Sequence, residues 1–122
     1  MARRPVRSGL GVAIVVALAV ALHGYHFGIA DQKLYLPAAL AHVDPSLFPH
    51  DAAFFTTEAR FTWYDELVAV TLRAGLPLDV TMFAGQVMTL ALLLGAARRL
   101  LERGGAPAAA QWAGVVGLAV AL

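Results

Sequence analysis

The 122-residue chain has no cysteine, which excludes a disulfide framework, a thiolate metal site and a cysteine nucleophile. Charge is scarce as well: 14% of the residues are charged, and the net charge is +1. Soluble domains carry about 25% charged residues, and a nucleic-acid surface needs a basic stripe that these scattered arginines do not form. A Gly-rich phosphate loop, a nucleophile elbow and an HExxH pattern are all missing from the sequence. What is abundant is apolar: 60% of the residues. A chain this short has too small an interior to hide that much apolar surface, so the expected cover is lipid. Eight arginines against one lysine, with much alanine, suggest a GC-rich bacterial genome.

Three apolar stretches stand out. Ser8 to Ala30 is uncharged over 23 residues, about 34 Å as a helix and enough for a hydrocarbon core of about 30 Å. Val80 to Ala97 is uncharged over 18 residues. The last stretch, APAAAQWAGVVGLAVAL, follows Gly104-Gly105, with Pro107 suited to a first helical turn. The expected architecture is an all-α membrane protein with spans at about 8–30, 79–101 and 107–122, the third only partial. Sixteen residues from Pro107 fall short of a crossing. The chain therefore reads as the N-terminal fragment of one longer multi-span domain. A cleaved leader ending at Ala19-Val20-Ala21 is the rival reading, but the apolar run continues to Ala30 without a polar break.

Charge placement gives an orientation. Arg3, Arg4 and Arg7 precede the first stretch, and Arg98, Arg99 and Arg103 follow the second. Between them lie seven acids (Asp31, Asp44, Asp51, Glu58, Asp65, Glu66, Asp79) and three bases (Lys33, Arg60, Arg73). Basic flanks mark the cytoplasmic side. The N-terminus is then cytoplasmic in a bacterial inner membrane, and the loop 31–78 is extracytoplasmic.

That loop is rich in aromatics, unlike a linker. Leu36, Ala39, Leu40, Val43 and Leu47 follow one helical face, while DPSLFPHD, with two prolines in eight residues, reads as turns. A second short helix begins at Thr62 and Asp65 in a capping-box-like start. Trp63, Leu67, Val70 and Ala74 line one side of it, and Gly75 and Pro77 stop it. Both helices are too short to cross and are expected to lie at the membrane interface.

Several polar residues invite a chemical role. Asp31 stands where the first span leaves the membrane, where partial desolvation favours a carboxylate that accepts a proton. His23 and His26, with Asp31, or His42, Asp44, His50 and Asp51, leave a divalent metal open. No spacing converges on a metal site, however, and no cofactor is expected. Gly24 and Gly28 fit close helix packing, and Gln86 is a polar group inside the second span.

Taken together, ADQKLYLP at the end of the first span, DPSLFPHDAAFF, the aromatic interfacial helix and GLPLD before the second span form a layout. From about residue 8 to 101 it resembles the N-terminal region of bacterial multi-span proteins of the GT-C glycosyltransferase architecture. The resemblance implies transfer of a sugar from a polyprenyl-phosphate donor on the outer face. It also implies an essential acid near the first span, which Asp31 matches. Better-known members often carry two adjacent acids there, whereas Gln32 follows Asp31 here. On this reading Asp31 is the catalytic base, and Arg60 and Arg73 bind the donor phosphate. The partners are the bilayer, the lipid-linked sugar and further transmembrane helices of the same protein, with no nucleic acid. The alternative is a non-enzymatic multi-span protein, a transporter or an assembly subunit.

Overall fold

The structure, a computed structural model, describes residues 6–27, 32–50, 53 and 63–122. Among these the architecture is all-helical, as the composition leads one to expect. The helices are α1 (Val6–His23), α2 (Gln32–Val43), α3 (Tyr64–Arg73), α4 (Leu78–Arg103) and α5 (Ala108–Ala121). The chain divides into two compact units, one of Met1–Tyr25 with Gly85–Leu122 and the other of His26–Ala84.

Helix α4 is 26 residues long, about 39 Å, and is the one helix among the described residues long and apolar enough to cross a membrane. Only 11% of its most apolar window is buried within the chain, so it is not an enclosed core helix. Asp79 lies in its first turn and Arg103 in its last, each of the sign that the helix dipole favours. Helices α1 and α5 are apolar but shorter. The apolar run of the sequence reaches Ala30, yet α1 ends at His23, where the Gly24 N–H closes the last turn on the Val20 carbonyl.

The two turns that border α4 share one grammar. After α3, the Gly75 N–H donates to the Leu72 carbonyl and the Leu76 N–H to that of Thr71. After α4, the Gly105 N–H donates to Glu102 and the Ala106 N–H to Leu101. Both are Schellman motifs, and both need a left-handed residue, supplied by Gly75 (φ +85°) and Gly105 (φ +79°). Pro77 and Pro107 follow each turn and prevent the helix from continuing.

In the unit of α1, α5 and the later turns of α4, Val15, Val16 and Ala19 form a core with Leu94, Val115 and Ala119. The Trp112 ring lies directly against Gly11, where an added Cβ would overlap it. At the other end of α1, His23 Nε2 donates to the Ala119 carbonyl at 2.9 Å. Contacts that run from Gly11–Trp112 to His23–Ala119 make α1 and α5 parallel. Over the Trp112 ring the Arg98 guanidinium sits 4.6 Å from the centroid.

The other unit is α2 packed on α3, with the first turns of α4. Leu36, Ala38, Ala39 and Ala41 of α2 are buried, as are Val68 and Ala69 of α3 and Met82 of α4. Pro37 lies inside α2 rather than in its first turn.

A histidine paired with a buried aspartate as the candidate functional site

Helix α3 is amphipathic, but its buried side is not the aromatic one. Trp63 is 89% exposed, and Leu67 and Val70 are exposed with it. The side turned inward carries Asp65, Val68 and Ala69, spaced i, i+3, i+4. That side of α3 is thus not covered by the rest of the described residues. The unexpected part is a carboxylate in the protein interior.

Asp65 is 2% exposed. Its position in the first turn of α3 places the negative charge at the positive end of that helix. From the last turn of α2, His42 brings Nε2 to 2.7 Å from Asp65 Oδ2. The second oxygen, Oδ1, is equally buried and has no hydrogen-bond partner. An unmet buried acceptor of this kind costs about 1–3 kcal/mol. Glu66, the next residue, is exposed. One ligand atom from each of His42, Asp65 and Glu66 lies within 4.8 Å of the others, and this is the one such group among the described residues.

The surroundings hold this pair in place. The Tyr64 ring meets that of Tyr35 edge-on, with centroids 5.9 Å apart and planes at 73°. Its hydroxyl donates to Met82 Sδ at 3.2 Å and so ties α3 to the start of α4. Arg73 Nη2 donates to the His42 main-chain carbonyl, satisfying one of the orphan carbonyls at the end of α2. Just past the end of α2, Asp44 Oδ1 accepts from the Ser46 hydroxyl at 2.7 Å and from the Ser46 N–H at 3.0 Å. Those two bonds, the hydroxyl first, hold the Asp44 carboxyl below its ordinary value.

Of the residues singled out in the sequence, Asp31 and Arg60 lie outside the described residues, as does Asp51. Arg73 stands at the His42 end of the cluster. His42 pairs with Asp65 rather than with Asp44, which is engaged with Ser46. His23 is bonded to α5 through Ala119. Gln86 is half-buried on α4. The sequence assigns Asp65 only to a capping-box-like start and gives Glu66 no role, whereas the structure buries Asp65 beside His42. The available signal was the inward face itself, because Asp65 shares its helical side with Val68 and Ala69. Compared with known proteins, the chain matches no family model, no curated protein and no solved structure.

Proposed function

We propose that the chain belongs to a bacterial inner-membrane protein that transfers a sugar from a polyprenyl-phosphate donor on the outer face. The observation that supports the membrane part is the long apolar helix α4, beside α1 and α5 that pack on each other in parallel. Two full spans and a partial third, as the sequence suggests, would have the first and third running the same way, which the parallel α1 and α5 fit. The arginine flanks then put the N-terminus inside and the segment between α1 and α4 outside. The exposed Trp63, Leu67 and Val70 side of α3 suits the headgroup region, where a lipid-linked substrate presents its sugar.

The chemistry follows from the resemblance in the sequence. An acceptor hydroxyl attacks the anomeric carbon, the bond from that carbon to the phosphate oxygen breaks, and polyprenyl phosphate leaves. Asp31 takes the hydroxyl proton. Arg73 has five N–H donors and commits one to the His42 carbonyl, so the guanidinium keeps donors for a phosphate, with Arg60 as its companion.

Two measurements test this. The chain has no cysteine, so a single cysteine in place of Ser46 is a clean topology probe. A membrane-impermeant maleimide should label it on intact cells; labelling only after lysis overturns the orientation. In the intact gene product, Asp31→Asn should abolish transfer from a polyprenyl-phosphate sugar while membrane levels stay normal. Normal transfer by that variant removes the catalytic assignment, and absence of transfer by the unaltered protein favours the non-enzymatic alternative.

A further inference from the structure

We infer that His42, Asp65 and Glu66 form a binding site for one divalent transition-metal ion. This goes beyond the transferase reading and does not depend on it. Three observations converge. First, the donor set is one imidazole nitrogen and two carboxylates, a mixture that suits borderline cations such as Zn²⁺, Mn²⁺ and Fe²⁺ better than Mg²⁺ or Ca²⁺. Second, the donors come from two helices, with His42 at the end of α2 and the acids at the start of α3, and lie within 4.8 Å of one another. Third, Asp65 is 2% exposed and its Oδ1 faces no donor. A buried carboxylate oxygen without a hydrogen-bond donor has a demand that a cation satisfies.

The geometry needs little adjustment. An ion about 2.1 Å from each ligand atom requires those atoms to be no more than about 4.2 Å apart. His42 Nε2 and Asp65 Oδ2 already meet that limit at 2.7 Å, and an ion bound through both Asp65 oxygens also gives Oδ1 its partner. With its remaining proton on Nδ1, neutral His42 offers Nε2 as the ligand. Neighbouring helical residues point about 100° apart, so Glu66 reaches the ion through its longer side chain. Being exposed, that side chain is unhindered by packing. Three protein ligands leave positions for water or an anionic oxygen, the arrangement of an open rather than a closed structural site.

The test is a Co²⁺ titration of the purified, tag-free full chain in detergent, read by visible absorption and by calorimetry. The unaltered chain should bind one Co²⁺ saturably, and Zn²⁺ should displace it. Asp65→Asn should weaken binding at least about 100-fold, since loss of a direct ligand costs no less than loss of an outer-shell partner. Glu66→Gln should weaken it at least about 10-fold. This residue is exposed, so its variant keeps the fold even if Asp65→Asn disturbs it, as circular dichroism would reveal. Failure of the unaltered chain to bind saturably, or binding by Glu66→Gln with unchanged affinity, overturns the proposal.

Discussion

The two units of this chain solve the same packing problem with different chemistry. Where α1, α5 and the later turns of α4 meet, the core is apolar and small: Val15, Val16, Ala19, Leu94, Val115 and Ala119. Two polar side chains there bond to main-chain carbonyls, His23 to Ala119 and Gln111 to Ala106 at 2.8 Å. In the other unit side chains bond to one another: His42 of α2 with Asp65 of α3, and Tyr64 of α3 with Met82 of α4. The difference teaches which surroundings each unit suits. Small residues and self-satisfied backbones are what helices need where neighbouring lipid offers no hydrogen bonds. An ionisable pair such as His42 with the buried Asp65, its histidine partly exposed, is costly where no water reaches it.

Substitutions can break that contrast. The largest effect is expected for His42→Leu, which strands the Asp65 carboxylate without its partner. The loss should be about 3 kcal/mol, measured as thermal unfolding of the full chain by circular dichroism. A loss near zero would mean that the pair contributes little and that the two units are held alike. Next comes Gly11→Ala, whose new methyl group overlaps the Trp112 ring. A cost of about 2 kcal/mol is expected from overpacking. Combining it with Trp112→Leu should cost less than the sum of the two, whereas simple additivity would mean that the close approach is not felt.

The smallest effect concerns the exposed turn at Asp44. Its carboxyl is held below 3.8, mainly by the Ser46 hydroxyl and then by the Ser46 N–H. A lowered folded value means that the turn gains support above the unfolded value and loses it as the pH falls through the folded one. The turn is therefore fully supported above about pH 5 and loosens only below 3.8. Titration of the Asp44 carboxyl by NMR should give a midpoint below 3.8 that rises toward it in Ser46→Ala. An ordinary midpoint in the unaltered chain contradicts the two hydrogen bonds.

Local grammar was the legible part of the sequence. The Gly75–Pro77 and Gly105–Pro107 punctuation places both turns, and an expected span of 79–101 lies within the observed Leu78–Arg103. These features depend on residues a few positions apart. The end of α1 was less clear, because Gly24 looks like any other glycine in an apolar run. What stayed hidden depends on pairing across distance. Gly11 and Trp112 lie in helices at opposite ends of the chain, and His42 and Asp65 are separated by two proline-containing turns. The aromatic side of α3 attracted attention, so the side with a single acid among apolar residues went unread. Asp31 and Arg60 fall outside the described residues, so the expectation that rests on them is carried by the sequence alone.

The chain's two tryptophans fall one in each unit, in opposite surroundings. Trp63 is 89% exposed, while Trp112 is half-buried beneath the Arg98 guanidinium. The molecule therefore carries two built-in fluorophores. Brominated lipid or aqueous quencher should dim them unequally, and replacing either indole with phenylalanine leaves an emission signal that follows one unit alone.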